Sequence, residues 1–159
     1  MFRKAPEDYN CPFCRIANNQ PDDTGEDRTD EIVYSDTEIT AFISSHWWPD
    51  VEGPVLIIPN QHYENIFDLP DELLVKISLI SKKIAFAMMK GYGCKGVSFR
   101  QHNLAGNQSV FHYHLQVLPR SDGDRLYQNH EKKYPAESQR RKDRAKLIRE
   151  SLRSELSIM

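Results

Sequence analysis

Phe111-His-Tyr-His-Leu-Gln-Val-Leu-Pro-Arg120 changes residue type at almost every step. Successive side chains of an extended strand point to opposite faces. His112, His114 and Gln116 therefore share one face, while Phe111, Tyr113, Leu115 and Val117 line the other, which reads as the core side. Two imidazoles and an amide along one strand face can hold a phosphate while one imidazole attacks it. For an isolated H-x-H the plainer reading is an exposed polar face on an edge strand. Here the preceding segment adds weight: Gly96 to Val110 reads as a strand followed by a short loop of small residues and amides, able to bring backbone N–H groups close to an anion.

Working outward, Glu31-Ile-Val-Tyr34 and Glu38-Ile-Thr-Ala-Phe-Ile-Ser44 form an expected strand pair joined at Ser35-Asp36. His46 to Pro54 is an aromatic loop, and Val55-Leu-Ile-Ile58 a short apolar strand stopped by Pro59. Residues 70–90 carry a helical stripe of Leu73, Ile77, Ile80, Ile84 and Ala87 or Met88, with Asp68 as the expected N-cap and Gly91 and Gly93 as the stop. Strands are expected at 95–101 and 111–118. A second helix is expected at 136–156, with Ile148, Leu152 and Leu156 inward. Residues 18–31 read as a surface loop. These elements predict an α+β domain: a five-stranded, mainly antiparallel sheet with one central helix and a C-terminal helix.

The 159 residues suit a single domain with one core. With 39% hydrophobic and 28% charged residues the composition is that of a soluble globular protein. The net charge of −2 argues against a dedicated nucleic-acid binder. No run approaches membrane-spanning length and the N-terminus has no apolar signal region, so a cytoplasmic protein without membrane partners is expected. Three cysteines fit a reducing compartment better than a disulfide framework. Charge is uneven: residues 22–38 hold eight acidic groups and one arginine, and 140–153 hold seven basic and two acidic groups. The basic run reads either as a solvated face or as a surface for a polyanion or a neighbouring subunit.

Four landmarks occur in order: Cys11-Pro-Phe-Cys14; Ile32-Val-Tyr-Ser-Asp36 with Ala41-Phe42; Val55-Leu-Ile-Ile-Pro-Asn-Gln-His-Tyr-Glu-Asn-Ile66; and Gly106-Asn-Gln-Ser-Val-Phe-His-Tyr-His-Leu-Gln-Val-Leu-Pro-Arg120. In this order and spacing the chain resembles the histidine triad (HIT) family, from Cys11 to about Arg120. Residues 1–120 then form a HIT-like domain carrying the cysteine knuckle, and 121–159 a C-terminal helical extension of the same domain, similar to that of a bacterial branch with a loop like Trp47-Trp48-Pro49. The resemblance implies a homodimer that binds a nucleotide substrate and hydrolyses or transfers a nucleoside monophosphate group, with His114 as the nucleophile on the α-phosphorus and His112 and Gln116 beside it.

Imidazole suits that role because it is largely unprotonated near neutral pH. Its second ring nitrogen must be held, and a carbonyl of the neighbouring strand is the expected acceptor. The loop with Asn107, Gln108 and Ser109 is expected to hold the phosphoryl oxygens, helped by Gln101 or, in a different register, Asn103.

Three positions depart from the common family pattern. Gln116 stands where a third histidine is usual; it donates a hydrogen bond but exchanges no proton, and the resemblance to H-x-H-x-Q members that pass the nucleotidyl group to a phosphate acceptor implies transfer over hydrolysis. Pro54 replaces a histidine, which changes the expected environment of the leaving group. Ser44 replaces a ribose-gripping aspartate and offers one hydrogen bond to the nucleoside.

Cys11 and Cys14 read in three ways. With His62 and His112, the pair the resemblance suggests, or with His46 as a spare, they make a closed structural Zn2+ site. Alternatively they form a thioredoxin-like redox motif, which needs a βαβ context, or are two free thiols in a small core. Cys94, His102 and His130 receive no role. Trp47 and Trp48 read as a base-stacking wall or, better, as packing at a subunit interface. Beside the enzyme stand two other readings: a non-catalytic, zinc-stabilised nucleotide-binding dimer, and nucleic-acid end processing resting on the basic helix.

Overall fold

The computed structural model describes residues 5–22, 24–104 and 108–156, with side chains up to 154 in the last helix. Its sheet is built from β1 (Ile32–Ser35), β2 (Ile39–Ile43), β4 (Val55–Pro59), β5 (Gly96–Arg100) and β6 (Leu115–Arg120), in the order β1-β2-β4-β6-β5. Every neighbouring pair is antiparallel. A separate two-stranded ribbon pairs β3 (His46–Trp47) with β7 (Tyr134–Pro135). The helices are α1 (Pro12–Ala17), α2 (Asp71–Tyr92) and α3 (Ser138–Leu156). The predicted α+β class, its five strands, central helix and C-terminal helix are all present.

Strand β2 is buried at every position, because both faces of the sheet are covered. Ile39, Ala41 and Ile43 join Val55, Ile57 and Val117 under α2 and α3. Phe42, Leu56 and Ile58 face the opposite side, against Phe13 and Ile16 of α1. The β1–β2 turn is closed by Asp36, whose carboxylate accepts from the amides of Glu38 and Ile39, both at 2.8 Å.

Several sequence expectations shift. Strand pairing begins at Leu115, not at residue 111. Tyr113, Leu115 and Val117 do pack towards the α2 core, but Phe111 lies half-buried with its ring edge-on to Tyr9. Helix α2 starts at Asp71 behind Pro70, so Asp68 is not its cap; the Asp68 carboxylate accepts from Asn65 instead. Gly93 closes α2 in the left-handed region at φ 68°, as a glycine stop should. Gly91 does not stop it. A Cβ there would meet the Leu147 carbonyl oxygen and Ser151 Oγ at 2.9 Å, so this glycine lets α2 and α3 approach closely.

The largest departure concerns residues 18–31 and the basic helix. Glu31 is wholly buried, and it accepts from Arg28 Nε at 2.5 Å and from Arg141 Nε of α3 at 2.8 Å. Arg141 also reaches Glu26 at 2.5 Å and the Ala136 carbonyl. Arg140 and Arg144 pair with Glu52, Lys142 with Asp30, and Arg149 donates to the carbonyls of Asp30 and Ile32. One face of the basic helix thus pairs with the acidic loop and Glu52, while Arg140, Lys146 and Arg153 remain exposed, as a solvated face would be. Ile148 is buried as expected and Leu152 packs against the core; the Leu156 side chain lies outside the described residues.

Trp47 and Trp48 are buried within their own chain. Trp47 sits in the main core with its N–H on the Ser44 carbonyl at 2.9 Å. Trp48 packs with Val51, Leu118 and Leu126. They need no partner subunit to cover them.

Removing one partner of a buried ion pair leaves its counter-charge uncompensated and costs about 3–5 kcal/mol. Arg141→Ala should therefore lower unfolding stability by about 3 kcal/mol or more in a denaturant titration. A loss below about 1 kcal/mol would mean that Arg28 alone satisfies Glu31.

Candidate active site

The polypeptide leading into β6 places three side chains in three environments. His112 is fully buried. Its Nε2 lies 2.9 Å from the Pro59 carbonyl, which can only accept, so the proton sits on Nε2. Nδ1 then carries the lone pair, 3.3 Å from Cys11 Sγ and 3.5 Å from Cys14 Sγ. His62 Nδ1 lies 3.3 Å from Cys14 Sγ. Ligand atoms of these four residues fall within 4.8 Å of one another. Tetrahedral zinc with ordinary Zn–S and Zn–N bonds separates sulfur from nitrogen by roughly 3.6 Å. The donor set therefore fits a closed four-coordinate metal site, and the Pro59 carbonyl supplies the outer hydrogen bond that orients such a histidine.

This arrangement discriminates among the sequence readings of Cys11 and Cys14. Helix α1 begins immediately after Cys11 and no strand precedes it among the described residues, so the βαβ context of a redox motif is missing. The two thiols share one proton: their mutual hydrogen bond, helped at Cys11 by His112, draws Cys11 well down and pushes Cys14 up. A thiolate is what a metal needs. His46 is not in the cluster; its Nδ1 lies 3.0 Å from Ser45 Oγ.

His114 is 6% exposed. Its Nδ1–H donates to the carbonyl of His112 at 2.7 Å, an acceptor two residues back in its own chain and not on the neighbouring strand as expected. This fixes the tautomer and leaves the Nε2 lone pair on the far side of the ring. Burial lowers the His114 pKa to about 4, although the hydrogen bond to His112 pulls it upward. Neutral imidazole is the nucleophilic form. Phe13 packs edge-on against the ring at 5.3 Å.

His114 and Gln116 open on a cavity of about 620 Å3. Phe13, Ile16, Phe42, Leu56 and Val110 form its apolar wall, and Ser44, Ser109, Arg28 and Arg141 line its polar side. The Gln116 carbonyl oxygen accepts from Arg100 Nε at 3.1 Å and Nη2 at 2.8 Å. Arginine has no acceptor, so this bidentate contact decides which end of the amide is which. The Gln116 NH2 is left to donate.

The remaining expectations divide. Ser109 and Ser44 line the cavity, although the Ser44 hydroxyl also donates to the His46 carbonyl at 3.0 Å. His112 does not line it and touches His114 only through its carbonyl, so it acts as a support and not as a second phosphate ligand. Gln101 and Asn103 clasp each other, and Asn103 Oδ1 accepts from the Ile66 amide at 2.8 Å. Gln108 is buried, donating to the Glu64 carbonyl at 2.5 Å and accepting from the Leu104 amide at 2.6 Å. These three amides brace the loop and do not line the cavity. Asn107 lies outside the described residues. Pro54 is buried beside β4, its carbonyl accepting from the Ser44 amide, and it does not line the cavity either.

Sequence reading missed Arg100, His102, His130 and Lys133, which gather with Trp48, Ser109, His114 and Gln116 around an adjoining lobe of about 300 Å3. It also missed Arg28 and Arg141. The signal for Arg100 is its penultimate place in the predicted strand 95–101, opposite Gln116 in the ladder; Arg141 lies on the predicted C-terminal helix, and the others come from loops whose course no periodicity reveals.

The HIT domain family model matches residues 26–123. The chain belongs to the HIT family. An uncharacterized HIT-like protein of Methanocaldococcus jannaschii is 31% identical over 116 residues, 72% of this chain and 81% of the relative. The adenosine 5'-monophosphoramidase of Saccharomyces cerevisiae is 30% identical over 123 residues, 77% and 70% of the two chains. Among solved structures, a HIT-like protein involved in cell-cycle regulation from Bartonella henselae superimposes with a TM-score of 0.76 at 27% identity, covering 92% of this chain and 99% of that one. A zinc-bound histidine triad protein from Mycobacterium smegmatis shares the fold, with a TM-score of 0.75 at 24% identity over 94% and 98% of the chains. No helix among the described residues is long and apolar enough to cross a membrane.

Proposed function

We propose that this HIT protein cleaves nucleotides at the α-phosphate through a covalent nucleotidyl-His114 intermediate. The observation that carries the reading is His114 itself: a buried, neutral imidazole whose Nδ1 is pinned by a carbonyl, beside a cavity with one apolar and one polar wall. The apolar wall suits a base, and Ser44 suits a ribose hydroxyl. Nε2 attacks phosphorus, forming a P–N bond as the bond to the leaving group breaks and the leaving group keeps the electron pair. An acceptor oxygen then attacks phosphorus and the P–N pair returns to Nε2. Ser109 and the Gln116 NH2 donate to the phosphoryl oxygens, where charge grows in the transition state. Gln116 has no proton to exchange, which favours transfer over hydrolysis. The activity of the yeast relative on a phosphoramidate supports the same class of chemistry.

Cys11, Cys14, His62 and His112 would hold zinc as a structural ion that fastens the N-terminal knuckle to the strand bearing His114. The fold-level likeness to a zinc-bound family structure supports this. No reaction step runs through the metal.

We also propose a homodimer across the edge strand β5. Phe99 is 50% exposed there, and Val75, Leu79 and Phe86 are exposed on α2. Between them lies an apolar groove lined by Leu74, Ala85, Val97 and Leu115, among others. An open edge beside apolar surface is the kind of face that pairs.

Three measurements test these readings. Incubated with adenosine phosphoramidate and diadenosine polyphosphates, wild type should gain the mass of one nucleoside monophosphate or release product, whereas His114→Ala should do neither and lose roughly 10^3-fold or more in turnover; normal turnover in the variant would sink the mechanism. Metal analysis should find close to one zinc ion per chain, and Cys14→Ser should lower both the zinc content and the melting temperature; a metal-free, equally stable wild type would remove zinc from the account. Phe99→Asp should shift the sedimentation coefficient from dimer to monomer, and a monomeric wild type would refute the pairing.

A further inference from the structure

Arg28, Arg120, Arg140, Arg141 and Arg144 each reach a carboxylate. Arg100 and Lys133 form no ion pair among the described residues, yet they stand together. The Arg100 guanidinium lies 4.6 Å and the Lys133 ammonium 5.2 Å from the Trp48 ring centre. Both line the smaller lobe with His102 and His130, and no aspartate or glutamate lines it among the described residues. Burial and then the neighbouring Arg100 depress the pKa of both His102 and Lys133.

The lobe is built, not incidental. Trp48, itself buried, donates its indole N–H to the His130 carbonyl at 2.9 Å, tying residues 121–135 to the site. Arg100 is fixed twice, by the Trp48 ring and by the Gln116 amide oxygen. The lobe shares Trp48, Ser109, His114, Gln116 and Lys133 with the larger cavity, so its contents would lie against the reacting centre.

We infer that this lobe is a second anion subsite, which takes a phosphate group other than the one His114 attacks. The inference rests on the nucleotidyl-transfer reading for its place in the reaction, but not for the binding itself. Two sources share this chemistry: the next phosphate along a substrate's own chain, or free phosphate acting as the acceptor. A phosphoramidate carries no such group and gains nothing from the lobe.

The test uses the full chain, as wild type and as the double variant His102→Ala with His130→Ala, two side chains that line the smaller lobe and not the larger cavity. Calorimetry with tripolyphosphate and with inorganic phosphate reads binding directly. Diadenosine tetraphosphate and adenosine phosphoramidate compare kcat/KM in the two proteins. Hydrogen bonds from the two imidazoles to a charged phosphate are together worth about tenfold or more. Tripolyphosphate binding and kcat/KM for the tetraphosphate should therefore fall about tenfold in the variant, with the phosphoramidate changed less than twofold. If inorganic phosphate binds wild type and speeds its turnover, but not that of the variant, the occupant is the free acceptor. If only tetraphosphate selectivity is lost, it is the substrate's own chain. Unchanged tripolyphosphate affinity, or equal effects on both substrates, overturns the subsite. A wild type inactive on both substrates defeats the nucleotidyl-transfer reading instead, and the calorimetry still decides the lobe.

Discussion

The bond from His114 Nδ1 to the carbonyl of His112 joins two halves of the molecule that would otherwise be independent. On one side His112 is held by Pro59 of β4 and faces the Cys11–Cys14 pair. On the other, His114 looks into the cavity. A residue whose two ring nitrogens are both engaged cannot rotate, so its carbonyl cannot drift and the His114 imidazole inherits its direction. Orientation is here a property of the backbone, stiffened from behind by the thiol cluster, and no carboxylate is needed to steer the ring.

The second organising constraint is electrostatic. A wholly buried glutamate is costly to ionise, and burial raises the Glu31 pKa despite two arginines in contact with it. The fold meets that cost by bringing Arg28 from the acidic loop and Arg141 from α3 to the same carboxylate. The consequence reaches the cavity, because Arg28 and Arg141 also line its polar wall. Residues far apart in the chain thus shape the polar side of the cavity while holding the last helix in place.

Much of the sheet was legible because period-two alternation and turn chemistry are local. The strands, the helix over residues 71–92 and the grouping of Cys11, Cys14, His62 and His112 followed from pattern or from family resemblance. The loop amides were misread for a physical reason: Gln101, Asn103 and Gln108 look like anion donors in sequence, yet a short loop must first satisfy its own backbone, and they are consumed in doing so. The acidic and basic segments are visible as two opposite charge runs, but neither run by itself says which residues it pairs with. Tryptophan burial could not be foreseen, because the covering residues, Leu126 and the β7 segment, arrive from beyond the matched family region.

The interlock of Glu31, Arg28 and Arg141 also limits how this chain can vary through descent. A charge reversal at any one of the three strands a counter-ion in a place water does not reach, so single-step drift there is a path through poorly folded intermediates. The acidic loop and the terminal helix are consequently a linked inheritance: one cannot be exchanged with a relative's segment unless the other travels with it.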